Sequence, residues 1–114
     1  MKSNKELCLL YLKKYAEKDL TGVAELFADD ISLRDWKIHV VGKENALNET
    51  RKNFEAADSI AIEVLSTYEN KNTVAAELKI TVNSTEELYV VDVITFNTNA
   101  QIASIRAYLG REDS

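Results

Sequence analysis

Residues 73–96 read TVAAELKITVNSTEELYVVDVITF. The first ten alternate with period two. Val74, Ala76, Leu78, Ile80 and Val82 fall on one face, and Glu77, Lys79 and Thr81 on the other. A strand turns successive side chains to opposite faces, so this predicts a sheet with one side buried. The run over 86–97 is apolar on both rows, with Leu88, Val90, Ile94 and Phe96 on one and Tyr89, Val91 and Val93 on the other. Upstream, IAIEVLSTYE (60–69) reads as a strand. Downstream, QIASIRAYL (101–109) reads as the last, set off by the turn residues NTNA (97–100). Everything after residue 58 is therefore predicted to be a meander of long antiparallel strands.

Ahead of residue 58 the period changes. Leu7, Tyr11 and Tyr15 recur every fourth residue, with Cys8 and Leu12 beside them, which predicts an amphipathic helix over 4–18. A shorter helix over 20–28 turns Leu20, Val23, Ala24 and Phe27 inward, with Asp19 or Thr21 as N-cap. ISLRDW (31–36) switches to period two, Gly42 breaks the chain, and 43–57 reads as a third helix with Ala46, Leu47 and Phe54 inside. The expected fold class is α+β. Three helices in the N-terminal half pack on one face of a cone-like, curved antiparallel sheet, in one domain over residues 1–114. A sheet bent around helices encloses an apolar pocket between them, a common small-molecule site.

Composition narrows the function classes. The 114 residues are 46% hydrophobic and 29% charged, with a net charge of −5 and no basic run. That argues against nucleic acid or an anionic membrane as partner. LCLLYL (7–12) is too short to span a bilayer. Cys8 is the only cysteine, so no internal disulfide forms, which fits a reducing cytoplasm. Cys8 and His39 are the only soft metal ligands and do not make a zinc site. No nucleotide-binding glycine motif occurs. Neither a cofactor nor a metal is expected.

Two carboxylates stand on apolar rows. Asp92 shares its row with Leu88, Val90, Ile94 and Phe96, and Asp35 shares its row with Ile31 and Leu33. An ionised carboxylate buried without a partner is costly enough that the group usually takes up a proton. Each Asp is thus a candidate for acid–base work. The structural alternatives are an arginine partner, a strand end or the opposite phase. Tyr11, on the apolar face of the first helix, is the third candidate, and its structural alternative is a core tyrosine with its hydroxyl bonded nearby. His39, in KIHVV (37–41), reads as a surface or edge residue.

DLTGVAELFADDISLRD (19–35) and VVDVITFNTNAQIASIRAYLG (90–110) resemble the nuclear transport factor 2-like superfamily, most of all its ketosteroid isomerases and their SnoaL-like relatives. The likeness spans roughly residues 7–112. It implies that Asp35 moves a proton next to a carbonyl. It further implies that Tyr11 and a protonated Asp92 donate hydrogen bonds to the oxygen on which negative charge develops. The substrate would be a small, apolar, carbonyl-containing molecule, and the chain would form a homodimer through the outer face of its sheet. Trp36 stands where the isomerases usually have a proline. Thr50 and Phe27 stand where some have tyrosines supporting the oxyanion-hole tyrosine, so the network behind Tyr11 is expected to be thinner. The alternative is a non-catalytic small-molecule-binding or dimerisation domain. Epoxide opening by an activated water is a further possibility, and it requires an arginine between two aspartates. Alternation along 31–36 and 101–109 sets Arg34 and Arg106 out of phase with that role.

Overall fold

In the computed structural model of the chain, which describes residues 2–110, two capped helices come first. Helix α1 (Asn4–Ala16) opens with a capping box. Ser3 Oγ accepts from the Glu6 N–H at 3.1 Å, and the Glu6 carboxylate accepts from the Ser3 N–H at 2.9 Å. Helix α2 (Leu20–Leu26) is capped by Asp19, whose Oδ1 accepts from the Gly22 N–H at 2.9 Å. Of the two N-cap candidates, Asp19 fills the role.

The remaining elements are β1 (Phe27–Arg34), β2 (His39–Val41), α3 (Lys43–Ala56), β3 (Ile60–Asn70), β4 (Thr73–Val82), β5 (Glu86–Phe96) and β6 (Ile102–Leu109). Gly42 links β2 to α3 at φ 97°, a backbone conformation that side chains with a Cβ rarely adopt. The strand after α2 starts earlier than its pattern indicated. Phe27 and Ala28, expected as the end of a helix, are extended, and Phe27 pairs with Ile102.

The strands form one six-stranded sheet in the order β2-β1-β6-β5-β4-β3. From β3 to β6 it is the expected antiparallel meander. The expectation of a wholly antiparallel sheet is corrected at one pairing, because β1 and β6 run parallel and the sheet is mixed. Helix α3 carries the chain from the β1–β2 hairpin to the far edge at β3, and the meander returns to β1 with β6 running in the same direction. Register shifts at Phe27/Ser32, Val64/Ser66 and Thr95/Phe96 mark irregularities that bend and twist strands.

The core lies between the helices and the inner face of this curved, unclosed sheet. Leu7, Cys8, Tyr11 and Leu12 of α1, Val23 of α2, and Ala46 and Phe54 of α3 meet Phe27, Ile31, Val74, Leu78, Ile94, Phe96 and Ile105 from the strands. Each fully buried aliphatic or aromatic side chain contributes on the order of 1.5–3 kcal/mol. On β5 the buried row is Val90, Asp92, Ile94 and Phe96, so Asp92 faces inward. Among the described residues, no helix is long and apolar enough to cross a membrane.

Candidate active site

Asp92 lies mid-strand on β5, between Ala76 of β4 and Ala107 of β6. Two alanines as cross-strand neighbours leave room above the carboxyl that larger side chains would fill. The residue is 9% exposed, and among the described residues no hydrogen bond or cation offsets its burial. Burial, and then the charge of Asp35, push its carboxyl up to about 7. At neutral pH the group is therefore divided between acid and carboxylate.

Tyr11 reaches the same interior from α1. Its ring packs against Tyr15 at 5.9 Å and Phe27 at 6.1 Å between centroids. Burial, and then the charge of Asp92, hold its hydroxyl well above the ordinary range, so it remains a neutral donor. The Tyr11 hydroxyl and the Asp92 carboxyl make no hydrogen bond with any described residue. Yet no fully enclosed side-chain nitrogen or oxygen among those residues lacks a partner. The oxygens of Tyr11 and Asp92 therefore border open volume.

Asp35 sits one residue past the end of β1 and is partly buried. Its strand places Ile31 and Leu33 inward, and Asp35 continues that phase. Oδ1 accepts from the backbone N–H of Lys37 at 2.7 Å and of Ile38 at 2.9 Å. This local turn fixes the carboxylate without a glycine or proline. The second oxygen makes no bond among the described residues. The charge of Asp35 acts on both Asp92 and Tyr15. The structure thus brings the three predicted residues, from α1, β5 and the β1 end, to one interior region.

A fourth residue belongs with them. The Tyr15 ring packs edge-on against Phe54 at 4.9 Å. Its hydroxyl accepts from Asn53 Nδ2 of α3 at 3.1 Å and lies in the field of both aspartates. The sequence placed Tyr15 on the right helix face, but its hydroxyl partner lies 38 residues away in the chain. Behind Tyr11 the network is thin, as expected. Phe27 offers no hydroxyl, and Thr50 Oγ1 donates to the Ala46 carbonyl within its own helix at 2.9 Å.

Arg34 and Arg106 occupy directly paired positions on β1 and β6, on the outer face of the sheet. Among the described residues, no arginine lies between the two aspartates. His39 is exposed on that outer face, with Nε2 3.3 Å from Ser32 Oγ. No group of described residues could hold a metal ion. A groove of about 310 Å³ runs over the rim where β1 and β6 end, lined by Asp35, Trp36, Ala107 and Tyr108 among others. A larger hollow of about 540 Å³ lies along the outer side of α3, with Asn45, Glu49 and Lys52 in its lining, and none of the candidate residues reaches it.

The fold agrees with the comparisons to known proteins. The SnoaL-like domain model matches residues 10–105, and the chain belongs to that family. No curated protein matches it. Among solved structures, a SnoaL-like protein of unknown function from Burkholderia thailandensis superposes with a TM-score of 0.85 at 14% identity, covering 95% of each chain. A protein from Kribbella flavida, provisionally named a ketosteroid isomerase, gives 0.84 at 13% identity over 97% of this chain and 80% of that one. The epoxide hydrolase/cyclase-like enzyme SalBIII, of pyran ring formation in polyether salinomycin, gives 0.82 at 22% identity, covering 94% and 90%. These likenesses establish a nuclear transport factor 2-like fold whose neighbours bear the names of different chemistries.

Proposed function

We propose that the chain is a ketosteroid isomerase-like protein that moves a proton next to a carbonyl of a small, largely apolar molecule. The observation that carries this reading is the Asp92 carboxyl. It is buried with no donor or cation among the described residues to stabilise its charge, and it shares its surroundings with a neutral tyrosine hydroxyl. Asp35 is the base, fixed by two backbone N–H groups, with one oxygen unengaged by any described residue. It takes a proton from the carbon beside the carbonyl, and the electron pair moves onto the carbonyl oxygen. The Tyr11 hydroxyl and the protonated Asp92 carboxyl stabilise that developing charge where it forms. In a β,γ-unsaturated substrate the product of this step is a dienolate, and Asp35 then returns its proton to the γ carbon, which moves the double bond into conjugation with the re-formed carbonyl. The step needs no cofactor.

Removing one oxyanion donor costs about a hundredfold to a thousandfold in rate. Small β,γ-unsaturated ketones, followed by absorbance of the conjugated enone, should turn over with the native protein and not with Asp35→Asn. Turnover should fall as pH rises through about 7, because Asp92 then loses the proton it donates. Ligand binding without turnover, equal in both proteins, would leave a non-catalytic binding domain instead.

We also propose pairing of two copies through the outer face of β3 to β5, where Tyr68 is 58% exposed and Val91 and Val93 are incompletely covered. Sedimentation as a monomer at micromolar concentration would remove that part. The lone buried thiol of Cys8 suits a reducing cytoplasm.

A further inference from the structure

The rim groove beside Asp35 has two chemical characters. Trp36, Tyr108 and Leu109 give it an apolar wall, and all three are among the large exposed hydrophobic residues of the chain. Asp35 and Ala107, the direct cross-strand neighbour of Asp92, also line it, at the end of the sheet where its two faces meet. Arg34 and Arg106 line it from the outer face.

These arginines are register partners on adjacent parallel strands, so their side chains leave the same face about one strand spacing apart. Like charges directly opposite one another destabilise a sheet. The ion pairs among the described residues involve only lysines, so no described carboxylate relieves the two guanidinium groups. Arg106 Nη1 donates to Ser104 Oγ at 3.1 Å, which orients one guanidinium, and its other donors have no partner among the described residues. Ser32 and Ser104 pair two residues back along the same face; Ser104 Oγ, which accepts from Arg106, keeps its own hydrogen to donate, while Ser32 Oγ is engaged with His39. Two unrelieved cations with a hydroxyl alongside form a fork suited to a carboxylate.

We infer that the site takes an amphiphilic organic anion, its apolar, carbonyl-bearing part directed past Ala107 to Asp35 and Asp92 and its carboxylate held by Arg34 and Arg106 at the rim. This rests on the reading of the interior as a small-molecule site and names the class of molecule that fits it.

Three probes test it: 4-phenylbutanoate, the neutral isostere 4-phenylbutan-1-ol, and inorganic phosphate. Each is titrated while the NMR signals of the arginine Nε–H groups and of the Ile94 and Ile105 methyls are followed. The carboxylate should bind about tenfold to a hundredfold more tightly than the alcohol and move both sets of signals. Phosphate alone should bind more weakly than the carboxylate. An Arg34→Gln/Arg106→Gln double variant should bind the alcohol unchanged and lose the preference for the acid. Equal binding of acid and alcohol, or binding that leaves the arginine signals unmoved, overturns the anion inference and spares the interior site. Failure of both organic probes to move Ile94 and Ile105 overturns the two together. A double variant that changes the oligomeric state would assign the arginines to a subunit interface and overturn the inference as well.

Discussion

Replacing Asp92 with Asn should stabilise the protein by an amount that grows with pH. The carboxyl, ordinarily near 3.8, is pushed up to about 7 in the fold. The folded state therefore holds this proton more tightly than the unfolded chain does. The stabilisation it provides is complete below about pH 4, is lost as pH rises towards 7, and is absent above that. At about 1.4 kcal/mol per pKa unit, the shift corresponds to roughly 4 kcal/mol. Asn has nearly the same shape and cannot ionise, so it escapes the loss. Urea unfolding of both proteins at intervals from about pH 4 to pH 9 isolates the effect of Asp92 and of the groups its charge acts on, because the groups remote from it titrate alike in each and cancel. The advantage of Asp92→Asn over the native protein should widen by about 3–4 kcal/mol between pH 4 and pH 8 and then level off. With an unfolding entropy of about 2 cal/mol/K per residue, that is on the order of 15 °C in Tm. A gap that stays constant with pH, or narrows as pH rises, would refute the assignment of Asp92 as a buried acid.

Tyr15→Phe removes the acceptor of the Asn53 amide and should cost about 0.5–1.5 kcal/mol in urea unfolding. Cys8 is fully buried, and burial, then the charges of Asp92 and Glu69, push its thiol up to about 12. Iodoacetamide at pH 8 should therefore label the native protein far more slowly than the urea-unfolded chain, and equal rates would contradict that environment. Phe27→Ala empties a fully buried site beside the Tyr11 ring and should cost about 3–5 kcal/mol, measured by the same unfolding titration.

Much of the site was legible because it sits on regular elements. Asp92 shares its row with Val90, Ile94 and Phe96, but Tyr89, Val91 and Val93 make the opposite row apolar too, so its inward direction is decided by the packing of β5 rather than by alternation. Tyr11 followed from its spacing with Leu7 and Tyr15. Asp35 was legible as the continuation of Ile31 and Leu33, but the turn that holds it was not, because the Asp side chain itself builds it. Phe27 and Ala28 suit either a helix end or a strand start, and the pairing of Phe27 with Ile102 decides for the strand. Strand β2 has only three residues, too few to display a period. Alternation shows which face a residue takes but not which strand lies beside it, so the parallel β1–β6 pair had no local signal. The hydrogen bond of the Tyr15 hydroxyl comes from Asn53 of a different helix, which no spacing rule connects to it.

That parallel pair also governs when the molecule can assemble. Arg34 pairs with Arg106, 72 positions later in the chain (106 minus 34). At synthesis rates of about 5–20 residues per second, β1 waits several seconds on the ribosome for the strand that flanks it. Until then the end of β1 lacks that neighbour, and Asp35 stands apart from Asp92. Contacts this distant in sequence slow folding, because the loop must close before the pairing repays it. The helices and the β3–β5 hairpins have no such wait. A nascent chain stalled before β6 emerges would carry a formed meander beside an open strand edge, the kind of surface that chaperones cover and that neighbouring nascent chains can pair with.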